Sequence, residues 1–209
     1  MKLLKNLRPI EREFYNRDTL KVAKDILGKI LVRKTKKGYM TGRIVEVEAY
    51  KFGEYDEASH ASKRCTLSNK VMFGENGHAY VYFTYGMYFM LNVVAKKKTD
   101  PAGAVLIRGL EPIDGIKYMI KNRKGKLTNN LTNGPGKLSE ALQINKKLNN
   151  HDLTEKGKLW IVDLEKRKER ILTSGRIGIS LDAEKEWRFY LDDNPYVSKY
   201  KFNKKYNIR

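Results

Sequence analysis

The chain has 209 residues and a formal net charge of +19, because 43 Lys and Arg outnumber 24 Asp and Glu. A chain of this length is most simply one domain with a large core, and no apolar run approaches the roughly 20 residues that a membrane-spanning helix needs. The N-terminus lacks the apolar stretch of a signal peptide, and a lone cysteine, Cys65, excludes an internal disulfide framework, so we expect a cytoplasmic protein.

The first predicted elements are a short helix and a β-hairpin. Asp18 or Thr19 can cap a helix whose apolar residues recur at helical spacing. Residues 29–33 and 44–50 are typical of paired strands, joined by a basic turn over 34–42.

The rest of the chain alternates strands with two helices. Residues 51–78 form a polar loop without a sustained period, and so long a loop in a compact domain is usually functional. The further predicted strands are 79–84, 87–95, 104–110, 160–164, 177–181 and 187–191. Pro112 opens one predicted helix and Pro135 the other. We therefore predict an α/β (α+β) fold, a compact single domain over 1–209 whose helices pack on a largely antiparallel mixed sheet, with a basic tail at about 199–209.

The strand at 44–50 carries two acids on one face. Its apolar residues at every second position suit a core, while Glu46, Glu48 and Tyr50 share the opposite face. In so basic a chain, two such carboxylates indicate either a structural ion pair, which is the commoner case, or a general base.

Other side chains could take part in the same chemistry. Tyr82 lies on a strand, where core packing is the usual role of a tyrosine, and His60 lies in a polar loop, where it could be an ordinary surface residue. Tyr85 lies at a hairpin tip, where a ring buries little unless a partner covers it. Arg108 ends an apolar strand and needs an anionic partner there, for which Glu48 is the obvious candidate.

The net charge favours a polyanionic partner, most often nucleic acid, although a lysine-rich proteome would also produce it. An acid, stacking rings, a histidine and an arginine on a basic protein are what base flipping requires. The nucleotide must leave the stack and be held between rings, a wedge must fill the gap, and a carboxylate must activate water against the sugar carbon.

Ordered motifs run through roughly residues 10–198. They are IVEVEAY (44–50), DEASH (56–60), MFG (72–74), YVYFTYGM (80–87), LNVV (91–94), VLIRGLEP (105–112), NGPGKL (133–138), RIG (176–178) and WRFY (187–190). In these motifs the chain resembles the alkyladenine (3-methyladenine, or methylpurine) DNA glycosylases. The resemblance implies a compact mixed α/β domain that needs no metal or redox cofactor.

The resemblance also implies roles for the matched residues. The catalytic pair would be Glu48, the general base for water, and Arg108, which helps to hold that water. The flipped base would be bound by Tyr50, His60 and Tyr82, which line and stack on it, and by Asn92, which crowds purine substituents. The DNA contacts would be Tyr85 as the intercalating wedge, Met72 near the opposite strand, and Lys137. Glu46 has no catalytic counterpart, so we assign it to structure.

One departure concerns the loop before the MFG motif. The family usually has Thr-x-Arg-Asn, whereas this chain has Thr66-Leu67-Ser68-Asn69, so an arginine able to contact phosphate is missing. The many lysines could compensate by long-range attraction.

The sequence thus predicts a monofunctional DNA N-glycosylase with water as nucleophile, which excises alkylated purines from duplex DNA and leaves an abasic site. No cofactor, metal, membrane or obligate protein partner is expected, and the enzyme would associate with the nucleoid. Two alternatives stay open: a non-catalytic module that binds DNA or RNA by stacking and phosphate contacts, and a sugar-directed glycosidase that uses Glu46 and Glu48, against which the net charge argues.

Overall fold

The computed structural model describes residues 8–84, 86–125, 130–164 and 169–199. The helices in this part are α1 (Arg12–Tyr15), α2 (Thr19–Asp25), α3 (Lys70–Phe73), α4 (Ile116–Asn122) and α5 (Pro135–Ala141). The strands are β1 (Ile30–Thr35), β2 (Gly38–Lys51), β3 (Ala79–Thr84), β4 (Tyr88–Val94), β5 (Gly103–Asp114), β6 (Leu159–Val162), β7 (Ile171–Ser174) and β8 (Arg188–Leu191). Short 3₁₀ turns cover Gly53–Tyr55 and Lys146–Leu148.

The eight strands form one antiparallel sheet around the long strand β2. The strand order is β3-β4-β5-β2-β1-β6, and β8 pairs with both β2 and β7. β2 can serve three partners because its first half pairs with β1, its second half pairs with β8, and its other edge pairs with β5. The predicted single α+β domain with a largely antiparallel sheet is confirmed.

The main core lies on one face of this sheet, as the alternation in β2 predicted. Val45, Val47 and Ala49 are fully buried there among apolar residues of the neighbouring strands and helices. Asp18 is the predicted cap of α2, since its Oδ1 accepts hydrogen bonds from the backbone N–H groups of Leu20 (3.0 Å) and Lys21 (3.3 Å).

A break in the β2–β5 pairing brings two chain segments close to Glu46. The register shifts on both sides of Glu46, which pairs with Gly109. A Cβ at Gly109 would stand 2.7 Å from the carbonyl oxygen of Tyr196 and 3.2 Å from Cβ of Glu46. Only glycine leaves room for the segment that follows β8 to pack against this point of the sheet.

Two predictions between residues 34 and 116 were wrong in extent. The basic turn over 34–42 is much shorter, because β2 already begins at Gly38. Pro112 does not open a helix, since β5 continues to Asp114 and α4 begins only at Ile116. Proline is tolerated at this point because β4 pairs with β5 only at 104–106, and no other described strand pairs with that edge of β5 further along.

Near the C-terminus, the predicted strand at 177–181 is absent and β7 lies just before it instead. Gly178 has a φ of +80°, a left-handed conformation that interrupts extended backbone. Of the predicted basic tail at about 199–209, only residue 199 belongs to the described residues.

Candidate active site

A cavity of about 360 Å³ lies over β3, β4 and β5 and the end of β2. Its polar and ring-bearing walls are Tyr50, His60, Tyr80, Tyr82, Asn92 and Arg108. Its other lining residues include Ala58, Met72, Met90, Leu106, Pro135, Ile177, Gly178 and Ile179. We call this cavity the aromatic pocket, and its volume is in the range of small-molecule sites.

Glu48 lies directly behind the wall of the aromatic pocket. Its side chain is fully buried and does not itself line the cavity. Oε2 accepts hydrogen bonds from the Tyr50 hydroxyl (2.8 Å) and from Nη1 of Arg108 (3.0 Å). Oε1 accepts one from the backbone N–H of Ile177 (2.6 Å). A carboxylate has about four acceptor positions, so these three donors of the described chain leave one at Oε1.

Arg108 joins the two acids of β2. Its Nε donates to Oε1 of Glu46 (3.1 Å) while its Nη1 donates to Glu48, so the anionic partner that the sequence required is present twice. Burial by itself would lower the pKa of this arginine, but the two carboxylates outweigh it and raise that pKa. The guanidinium therefore stays charged at the edge of the pocket.

Glu46 is enclosed on its other side by a second arginine. Nε of Arg188 donates to Oε1 (2.7 Å), and the backbone N–H of Ser198 donates to Oε2 (2.7 Å). Burial acts to raise the pKa of Glu46, but the charges of Arg108 and Arg188 outweigh it and lower that pKa. None of its partners except Arg108 lines the aromatic pocket. This geometry fits the structural role that the sequence suggested for Glu46.

A second buried ion pair anchors the backbone that holds Glu48. Arg176 binds Asp56 through two hydrogen bonds of 2.8 and 2.7 Å, and both side chains are fully buried. Arg176 also donates to the carbonyl of Ala49 (3.0 Å), and its guanidinium carbon lies 4.7 Å from the ring centre of Tyr50. The next residue along the chain is Ile177, whose N–H binds Glu48. Sequence reasoning gave Asp56 and Arg176 no role, although they open the DEASH and RIG motifs.

Three rings stand together at one wall of the pocket. The ring centres of His60 and Tyr82 are 4.5 Å apart, and those of Tyr80 and Tyr82 are 5.3 Å apart. Nδ1 of His60 is 2.9 Å from the Tyr80 hydroxyl. Burial lowers the pKa of His60, which favours the neutral imidazole at pH 7. Burial and the nearby Glu48 raise the pKa of Tyr50, so its hydroxyl remains a donor.

The spacing of these rings limits what can bind between them. His60 and Tyr82 meet edge to face at an angle of 68°. A base stacked between two parallel rings needs them roughly 7 Å apart, twice the optimal carbon–carbon contact. A ligand sandwiched between His60 and Tyr82 must therefore move one of these two rings.

Asn92 and Met72 complete the pocket. Asn92 is buried and its Nδ2 donates to the backbone carbonyl of Tyr80 (3.0 Å), which fixes the amide at the wall. Met72 is 2% exposed and faces the cavity from α3, so its side chain lies in the pocket wall rather than on an exposed surface.

The remaining predicted DNA contacts are Tyr85 and Lys137, of which Lys137 does not line the pocket. Tyr85 is outside the described residues, but the hairpin around it exposes Phe83, Met87 and Tyr88. Nζ of Lys137 donates to Oδ1 of Asn130 (2.6 Å) and of Asn133 (3.0 Å). In the described ranges no group of three or more His, Cys, Asp and Glu could hold a metal ion, and no helix there is long and apolar enough to cross a membrane.

Comparison with known proteins connects this geometry to a family. The family model for methylpurine-DNA glycosylase matches residues 13–195. A protein of Methanocella arvoryzae is 48% identical over 91% of this chain and 96% of its own length, and one of Clostridium novyi is 48% identical over 92% of this chain and 100% of its own. A protein of Prosthecochloris aestuarii is 47% identical over 90% of each chain. All three have the provisional name 3-methyladenine DNA glycosylase.

Proposed function

The chain belongs to the methylpurine-DNA glycosylase family, and we propose that it excises alkylated purines of the 3-methyladenine type from duplex DNA by hydrolysis. Family membership makes it a DNA glycosylase that acts on alkylated bases. The reaction would leave an abasic site and a free base.

The observation that carries this proposal is the fixed carboxylate of Glu48 behind a wall of aromatic rings. Arg108, Tyr50 and Ile177 hold it with one acceptor position left at Oε1. A water bound there would enter between these three residues, all of which line the aromatic pocket. Its proton would pass to Glu48 as its oxygen attacks the sugar carbon, and Arg108 would help to hold it.

The leaving group determines how much help the enzyme must give. When the bond between the sugar carbon and the base nitrogen breaks, its electron pair goes to the base. A cationic alkylated purine thereby becomes neutral and needs no added proton. The sugar passes through an oxocarbenium-like state, which the nearby carboxylate stabilises. The lining residues that the structure describes include no lysine, so water rather than a Schiff-base amine is the proposed nucleophile.

The base would reach this carboxylate only by leaving the helix stack. Tyr50, His60 and Tyr82 would line and stack on it, with an opening of the His60–Tyr82 contact as part of binding. Tyr85 is proposed as the wedge, and the exposed Phe83, Met87 and Tyr88 around it offer the apolar hairpin tip that such a wedge needs.

The remaining predicted residues would contribute selectivity and affinity. Asn92 would crowd the substituents of the bound purine, and Met72 would pack against the base or the distorted DNA beside it. Lys137 has only neutral partners among the described residues, so its charge is available to a phosphate. The net charge of +19 also suits association with chromosomal DNA.

Incubation with duplexes that each carry one defined lesion tests the proposal. The protein should release 3-methyladenine-type bases and leave alkali-labile sites at the lesion, without strand cleavage before alkali treatment. Binding without release at any lesion would leave a DNA-binding module, and cleavage without alkali would contradict the monofunctional mechanism.

A further inference from the structure

A second cavity, of about 750 Å³, lies at the β1–β2 hairpin and shares no lining residue with the aromatic pocket. Its walls come from the end of β1, from β2, from the residues just after α5, and from the segment 151–160. We call it the basic cavity. The proposed glycosylase mechanism gives it no role.

The charged side chains that line the basic cavity are all positive. Arg33, Lys34, Lys36, Lys156 and Lys158 all line it, and none of the lining residues that the structure describes is Asp or Glu. The four lysines are exposed, so a ligand can reach them. Five cations in one concavity attract a polyanion and disfavour a neutral or cationic ligand.

Arg33 gives this wall a fixed shape and a permanent charge. Its guanidinium donates to the backbone carbonyls of Leu142 (3.1 Å), Lys34 (2.9 Å) and Lys158 (3.0 Å), and so ties three chain segments together. It forms no ion pair with an acid in the described part of the chain. Burial lowers its pKa, yet arginine does not lose its proton in proteins, so the positive charge stays uncompensated.

Two aromatic rings and a histidine also line the basic cavity. Tyr39 and Trp160 meet edge to face, with ring centres 6.3 Å apart. The indole N–H of Trp160 is buried and has no acceptor among the described residues. His151 accepts the backbone N–H of Leu159 at Nε2 (3.2 Å), so its other ring nitrogen, Nδ1, carries the proton in the neutral form.

Cations, hydrogen-bond donors and aromatic rings in one concavity match the two parts of a nucleic-acid strand. Phosphates accept from ammonium and imidazole donors, while sugars and bases pack against rings. We propose that the basic cavity is a second DNA site, which binds the phosphodiester backbone of a segment away from the lesion and keeps the enzyme on its substrate. This inference rests on the proposed function, since it assumes that DNA is the substrate.

Helix α5 runs from the lining of the aromatic pocket towards the lining of the basic cavity. Pro135 at its beginning lines the aromatic pocket, and Gln143, two residues beyond its end, lines the basic cavity. A seven-residue helix is about 10 Å long.

The test replaces the four lysines together by glutamine, at Lys34, Lys36, Lys156 and Lys158. A matched control carries the same change at Lys21, Lys97, Lys117 and Lys121, which are exposed and line neither cavity. Affinity for lesion-free duplex is measured at several salt concentrations. Each lost phosphate contact should reduce the slope of log affinity against log salt by about 0.9. We expect a slope loss of about 2 or more, on the order of two to four contacts, and at least about tenfold weaker binding at low salt, in the cavity variant only.

Two further measurements distinguish a local site from general attraction. Single-turnover base release at saturating enzyme should not change in the cavity variant. Lesion-free DNA should quench the fluorescence of the wild type more than that of Trp160→Phe, because Trp160 is one of only two tryptophans.

Equal affinity losses in the cavity variant and the control would overturn the proposal, because general charge would then explain them. Quenching by a mononucleotide but not by an oligonucleotide would also overturn it. Since lesion-free binding is measured without base release, an enzyme that fails to excise bases could still show this site, and an active enzyme could lack it.

Discussion

Glu46 and Glu48 stand two residues apart on β2, are both fully buried, and both accept a hydrogen bond from Arg108. They nevertheless differ in what surrounds them. Glu46 has a second guanidinium and the backbone of Ser198, whereas Glu48 has a phenol and a backbone N–H that belong to the wall of a cavity. Burial and ion pairing thus do not distinguish a structural acid from a proposed catalytic one. The partners other than Arg108 do, because those of Glu48 line the pocket and those of Glu46 do not.

The sharpest way to separate the two acids is to remove the charge of Glu48. Glu48→Gln should reduce base release by about 10²–10⁴-fold, because a general base contributes that much to the rate. Affinity for lesion DNA should stay within about tenfold, because the carboxylate is not proposed to position the DNA. Single-turnover rates and binding isotherms measure both, and a variant that keeps more than about a tenth of the activity would exclude this mechanism.

Removal of the charge at Glu46 should instead lower the free energy of unfolding. Glu46→Gln removes the carboxylate that the buried Arg188 and Arg108 share, and breaking a buried pair costs about 3–5 kcal/mol. Denaturant unfolding measures this change, with Glu48→Gln as the matched control on the same strand. A Glu46 variant that is fully stable but inactive would mean that Glu46 is the catalytic acid and Glu48 the structural one.

The pH dependence of stability should also show that ionised Glu46 stabilises the fold. The pKa of Glu46 is lower in the folded protein than its ordinary value of 4.5. The ionised carboxylate therefore adds to the free energy of unfolding above about pH 4.5, and this stabilisation is lost as the pH falls through the lower pKa of the folded state. Wild-type protein should therefore lose stability below about pH 4.5 more steeply than Glu46→Gln. Parallel stability curves for the two proteins in that range would contradict the assignment.

The backbone that holds Glu48 offers a smaller and more specific change. Arg176→Lys keeps the charge beside Asp56 but loses the bidentate contact, so Ile177 should be held less tightly. We expect base release to slow by up to about 10²-fold, the effect of a displacement of about 1 Å. Lesion-DNA affinity should change little, and an equal loss of affinity and rate would indicate general unfolding of the site.

The smallest effect concerns a buried polar group without charge. Asn92→Ser opens space beside the bound purine and should favour guanine-type over adenine-type substrates by about 1–3 kcal/mol, the scale of one steric difference in a pocket. Single-turnover rates on matched duplexes give the ratio. An unchanged ratio would remove Asn92 from substrate selection while leaving the roles of Glu46 and Glu48 as they are.

Most of the strands and the two faces of β2 could be predicted from local patterns. Alternation placed both acids opposite the core, and an arginine at the end of an apolar strand required an anionic partner, which is present. Two errors arose where local signals compete. Proline suggested a helix start at a position that is in fact paired with β2 on one edge only, and an alternating run at 177–181 concealed a left-handed glycine.

What the sequence by itself determined was the set of residue types and the face on which each would lie, because side-chain direction in a strand depends on immediate neighbours. Only the tertiary structure decided that the partners of Glu48, rather than those of Glu46 other than Arg108, line the pocket. Ile177 lies 129 residues from Glu48, Ser198 lies 152 from Glu46, and Arg176 lies 120 from Asp56. Contacts over such separations form when the whole sheet closes, so no local periodicity specifies them.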